Sequence, residues 1–144
     1  MLPDGPGTYV LILSLPCSQP VTVGRLGRFH FVAGWYAYVG SARGPGGLAA
    51  RVARHLRPAK PLHWHIDYLR AQAQPKAVWF REGAMSLECV WAEALISQPE
   101  ASTPIRYFGS SDCRCFSHLV HFAAQPSSST IPGVHCVSVS DLLT

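Results

Sequence analysis

The chain has 144 residues and a mass of 15.7 kDa, a size that predicts one domain. At 48% hydrophobic and 14% charged residues it is too apolar to be disordered, and its 12 Gly and 12 Pro argue against a helical bundle. The net charge of +4 is unevenly spread: between Gly5 and Ile66 there is no Asp or Glu, only Arg25, Arg28, Arg43, Arg51, Arg54, Arg57 and Lys60. A basic half of this kind suits a polyanion or makes a solvated face.

In chain order, the apolar, β-branched run Gly7–Leu15 reads as a buried strand. Val21–Gly24 and Arg28–Val32 read as short strands around Gly27, and Gly34–Gly40 as a further strong strand. Their short connections predict an antiparallel meander. Leu48–Arg57, stopped by Pro58, is a predicted helix. Leu48, Val52 and Leu56 form its apolar stripe, Arg51 and His55 lie along the edge, and Arg54 and Arg57 point to solvent. A second helix is predicted over His63–Ala73, a strand over Lys76–Arg81 and a third helix over Ser86–Ser97. Beyond Glu100, Phe116–Ala123 reads as a short helix, Pro126–Thr130 as a loop and Val134–Val139 as a last strand.

No apolar run approaches the ~18 residues of a membrane span. The opening segment Met1–Gly7 lacks the basic and apolar regions of a secretory signal, so a cytoplasmic protein is expected. The five scattered cysteines (Cys17, Cys89, Cys113, Cys115 and Cys136) do not suggest a disulfide framework.

The third helix holds a carboxylate in an unexpected place. At about 100° per residue, Trp91, Ala92, Leu95 and Ile96 gather around Glu88, whereas Glu93 points away. A carboxylate on an apolar face needs a cation, a metal or a hydrogen-bond network. The alternative is a helix beginning one residue later, with Glu88 as an exposed first-turn charge.

Gly7-Thr8-Tyr9, Tyr38-Val39-Gly40 and a helix carrying Arg51 and His55 together resemble the GIY-YIG nuclease family. The blocks at 63–69, 87–89 and 108–119 are similar to an uncharacterised branch of it, found as small bacterial and archaeal proteins sometimes fused to endonuclease III. The resemblance covers roughly residues 5–122. It implies a small α+β (α/β) domain with a central antiparallel sheet of at least three strands flanked by about three helices. One domain would then span 1–144, with 124–144 a C-terminal extension.

The resemblance also implies a DNA endonuclease that hydrolyses phosphodiester bonds with one divalent cation, Mg²⁺ or Mn²⁺, in repair or recombination. Tyr9 corresponds to the tyrosine that activates the attacking water, and Tyr38 to the second motif tyrosine. Arg51 corresponds to the arginine that neutralises the scissile phosphate, His55 to the next position on that face, and Glu88 to the metal ligand. An arginine fork suits a phosphate, and a lone carboxylate with waters suits Mg²⁺. Arg43, Arg54, Arg57 and Lys60 would contact the nucleic acid, branched or damaged DNA included. Thr8 replaces the usual Ile, a change inside a strand that need not touch chemistry, and the gap between the two tripeptides is longer than usual. The rival reading is a non-catalytic nucleic-acid-binding module.

His63, His65, Asp67, Asp112, Cys113, Cys115 and His118 form a further candidate site special to this branch. Their spacing is not that of a zinc finger, so zinc is the less favoured metal. A Cys113 nucleophile near His118 lacks any sign of a lowered thiol pKa. Trp64, Tyr68, Trp79 and Trp91 read as packing residues rather than base-stacking platforms.

Overall fold

The computed structural model describes residues 2–58, 60–109 and 116–143. Strand β1 (Gly7–Leu15) forms the spine, and almost every residue of it is buried, as its unbroken apolar run requires. It pairs antiparallel with β4 (Gly34–Ala42) on one side and with β5 (Gln74–Glu82) on the other. Strands β6 (Leu119–Phe122) and β7 (His135–Ser138) add the two edges, giving the order β6-β4-β1-β5-β7. The fold is thus α+β with an antiparallel five-stranded sheet, and helices pack on both of its faces.

Residue alternation along β1 sorts the core into two layers. Tyr9, Leu11 and Leu13 join Leu48 and Val52 of α1 (Gly47–Leu56) and Ile66 and Leu69 of α2 (His65–Arg70). Val10 and Ile12 face the other way, onto Trp91, Ala92 and Leu95 of α3 (Glu88–Ile96). Each fully buried Leu or Val contributes about 1.5–3 kcal/mol of transfer free energy. A short α4 (Val139–Leu142) follows β7.

Several elements differ from the sequence expectations. Strands β2 (Gln19–Val23) and β3 (Gly27–Phe31) do not continue a meander but form their own two-stranded sheet. Their Val21, Val23 and Phe31 point into the first core layer, so burial rather than ladder pairing anchors them. Phe116–Ala123 is not a helix: Leu119–Phe122 instead pairs with Trp35–Tyr38, because the edge of β4 offers unpaired backbone groups and a cover for Leu119, Val120 and Phe122. Helix α2 is shorter than 63–73, since the Asp67 carboxylate accepts the backbone N–H groups of His63 and Trp64 and sets its start. On α1 the buried stripe is Leu48, Val52 and His55, and Leu56 is only half-buried.

Cys17 and Cys136 are free thiols, but Cys89 is disulfide-bonded, which corrects the expectation for that residue. Among the described residues, no helix is long and apolar enough to cross a membrane.

Candidate active site

Among the described residues, strand β6 pairs with β4 as far as Tyr38, and a further bond runs from the Val39 N–H to the His118 carbonyl. Among the described residues, nothing pairs with Gly40 and Ser41 further along this edge, and both border a cavity of about 310 Å³. Its walls come from five elements: Tyr9 on β1, Tyr38 and Ser41 on β4, Arg51 on α1, His65 on α2 and Glu88 on α3. His63, Trp64, Gly109 and His118 complete them.

Two glycines make the close approaches possible. Gly40 stands opposite Tyr9 in the ladder, and a Cβ there would lie 2.5 Å from Tyr9 Oη and 2.6 Å from Cζ. The glycine of the second tripeptide is therefore the seat of the first tripeptide's tyrosine. Gly109 adopts φ +69°, and a Cβ there would lie 2.8 Å from Tyr38 Cε1. Its N–H donates to His65 Nδ1 at 2.9 Å, tying the loop to α2.

Tyr9 Oη and His55 Nε2 form a hydrogen bond of 2.6 Å with both side chains buried. Burial drives the His55 pKa down to about 3, with Asp67 opposing and the neighbouring cations adding to the shift, so the imidazole is neutral at physiological pH. Its Nδ1 has no hydrogen-bond partner among the described residues. A ring proton on Nε2, donated to Tyr9 Oη, avoids burying an unsatisfied N–H and leaves the phenol proton free to donate elsewhere. Burial also raises the Tyr9 pKa well above its ordinary value, with Tyr38 adding to the shift and Arg51 opposing it. The Tyr38 pKa rises for the same first reason, reinforced by the Glu88 charge. Both phenols are protonated donors at neutral pH.

Arg51 and Glu88 face each other from opposite layers without forming an ion pair; Ser41 stands between them. The Arg51 guanidinium donates to the Ser41 carbonyl at 3.0 Å, and Ser41 Oγ donates to Glu88 Oε1 at 2.6 Å. Glu88 opens α3, so both expectations for it hold a part: it is a first-turn acid, and it has partners, with its side chain 25% exposed. Ser86 Oγ donates to the same oxygen at 3.2 Å, leaving Oε2 turned towards His118. Thr8 does bear on this arrangement, because its Oγ1 accepts the N–H of Leu87, the residue just before Glu88.

The expected site residues fall into three groups. Tyr9, Tyr38, Arg51, Glu88, His63, His65 and His118 line the cavity, and His55 lies behind Tyr9. Arg54 does not point to solvent: it forms a bidentate pair with the fully buried Asp67 carboxylate, at 2.9 and 3.0 Å. Although burial alone would raise it, the Asp67 pKa is held low by Arg54 and by the Trp64 and His63 N–H groups. Asp67 is therefore a strut between α1 and α2 rather than a cavity ligand. Lys60 is likewise turned inwards, donating to the His55 and Arg57 carbonyls at the end of α1. Arg43 and Arg57 remain exposed outside the cavity, although Arg43 also donates to the Ala84 carbonyl.

Asp112, Cys113 and Cys115 lie outside the described residues. Among the described residues no group of three or more His, Cys, Asp or Glu side chains could hold a metal.

Sequence reasoning missed Ser41, the hydroxyl that follows Gly40 at the end of an apolar strand, where only a polar partner explains it. Trp64 packs against the first core layer, as expected, and also reaches the cavity. The guanidinium carbons of Arg51 and Arg54 lie 4.5 and 4.0 Å from the centroid of its ring, so Trp64 forms part of the cavity wall. Trp79 and Trp91 are buried packing residues, as expected.

Fold and cavity together define a small α+β protein with an open polar cleft at a sheet edge, containing a permanent cation, two phenols and a carboxylate. Residues 8–136 match the family described as Domain of unknown function DUF123, and the chain belongs to that family. No curated protein and no solved structure matches it.

Proposed function

We propose that the protein is a divalent-metal-dependent endonuclease of the GIY-YIG type that hydrolyses phosphodiester bonds in DNA. One observation carries the reading. Tyr9, Tyr38, Arg51 and Glu88, far apart in sequence, line one open cavity, with cation and carboxylate held apart by Ser41 rather than neutralising each other. A cation with two phenol donors suits a phosphate. The carboxylate fits a hard divalent ion, because Ser41 and Ser86 fix Oε1 and leave Oε2 facing the cavity. Such an ion, Mg²⁺ or Mn²⁺, supplies an activated water and neutralises phosphate charge when bound.

The protein's own residues then bind and orient. Arg51 holds a non-bridging phosphate oxygen, its planar group steadied by Trp64 and the Ser41 carbonyl. Tyr9 and Tyr38 donate hydrogen bonds to the water or phosphate. Tyr9 is a hydrogen-bond donor rather than a proton store, since its own pKa is raised and His55, with a pKa of about 3, is a poor acceptor. Exposed Arg57 and Arg43 contribute contacts to the DNA backbone. A DNA substrate would put the protein in the cytoplasm.

The test compares wild type with Glu88→Ala on intact, branched, nicked and damaged DNA with Mg²⁺ or Mn²⁺. Metal-dependent cutting that vanishes in the variant is expected. Tight, salt-sensitive binding by a wild type that never cuts would instead establish a non-catalytic binding module.

A further inference from the structure

The two oxygens of Glu88 keep different company. Oε1 accepts from Ser41 at 2.6 Å and from Ser86 at 3.2 Å, whereas Oε2 faces His118 Nδ1 at 3.8 Å. That distance is too long for a hydrogen bond. It lies within the span of two donor atoms that each bind one ion at about 2.0–2.2 Å.

His118 is also held in place. Its backbone N–H donates to the Phe108 carbonyl at 2.8 Å, and its own carbonyl accepts from Val39 at 2.9 Å. Both side chains line the same cavity, although His118 is only 3% exposed.

We infer that His118 is a second protein ligand of the cation site, so that a carboxylate–imidazole pair, completed by water and substrate oxygens, holds the ion. The inference rests on the nuclease reading and concerns which ion the site selects. An imidazole adds little for Mg²⁺, which keeps oxygen ligands, but much for later first-row ions such as Co²⁺. The site therefore discriminates among divalent ions through His118 while retaining them all through Glu88.

Calorimetric titration of the full chain with Co²⁺ and with Mg²⁺ tests this. Cys17→Ser and Cys136→Ser are included throughout, since those exposed thiols could take up Co²⁺ themselves. In that background His118→Gln is expected to weaken Co²⁺ binding at least tenfold and Mg²⁺ binding less than threefold, while Glu88→Gln abolishes both. If His118→Gln binds Co²⁺ like its parent and Glu88→Gln does not, the inference is overturned and the nuclease reading stands. If Glu88→Gln binds both ions unchanged, the metal assignment of that reading fails as well.

Because His118 is buried, a second measurement needs no substitution there. Proton NMR of the Co²⁺-loaded parent should show His118 ring protons with large contact shifts, and ring protons left at their metal-free positions would overturn the inference.

Discussion

Tyr9 Oη and His55 Nε2 lie 2.6 Å apart with both side chains withdrawn from solvent, and the contact fixes the phenol that faces the cavity. Removing the Tyr9 hydroxyl leaves a buried imidazole nitrogen unsatisfied, which costs about 1–3 kcal/mol. Tyr9→Phe should therefore lower the urea midpoint and slow DNA cleavage. A Tyr9→Phe/His55→Phe double variant should recover part of the stability and none of the activity. If Tyr9→Phe cuts as fast as wild type, Tyr9 has no part in the chemistry.

His55 also makes stability depend on pH. Its pKa falls from 6.5 in the unfolded chain to about 3 in the fold, so the unfolded state binds more protons in between. The contribution is complete above pH 6.5 and is lost as pH falls towards 3. Thermal melts of wild type and His55→Gln from pH 7.5 down to 4.5 should converge as pH falls. Parallel curves would remove His55 as the cause.

Arg54 and Arg57 lie three residues apart on and just after α1 but should respond differently. Arg54→Ala leaves the Asp67 carboxylate buried without its cation, a loss of about 3 kcal/mol or more. Arg57→Ala should leave the melting temperature within a degree or two. It should lower the slope of log affinity against log salt for duplex DNA by about 0.9. Equal salt slopes for Arg57→Ala and wild type would take Arg57 out of the interface.

Gly40→Ala tests the seat of Tyr9. The added methyl would lie 2.5 Å from the phenol oxygen, so the ring must move, at an overpacking cost of about 1–3 kcal/mol. Cleavage should fall further than stability alone explains. Wild-type activity would show that the position of the Tyr9 ring is not critical.

Thr8→Val keeps the shape of a buried side chain and removes the acceptor for the Leu87 N–H. About 1 kcal/mol of stability should go with it, together with activity, because the next residue is Glu88. A variant with full activity would show that this contact does not position the carboxylate.

The periodicity of the chain placed β1, β4, α1, β5 and α3 close to where they lie, because each buries a continuous face and a face leaves a pattern. What pattern could not carry was partnership. Phe116–Ala123 has an apolar content that suits a helix or a strand, and only the open edge of β4 decides between them. Arg54 has the helical phase of a solvated cation, and only the spatial neighbour Asp67 turns it inwards. Glu88 was legible from its helical phase, and Tyr9, Tyr38 and Arg51 from the resemblance carried by the two tripeptides and the helix after them. Ser41 was not, since a single serine at a strand end has no signature until the groups on either side of it are known.

Arg51 reaches the cavity from the layer on one face of the sheet, and Glu88 from the layer on the other. The distance between the cation and the carboxylate is therefore set by the thickness of a single strand plus the packing of two separate cores. Trimming Leu48 on one side or Trp91 on the other, neither of which lines the cavity, would let its helix settle and change that gap. In this protein the hydrophobic interior acts as a gauge, and the tolerance of the site is the tolerance of its core.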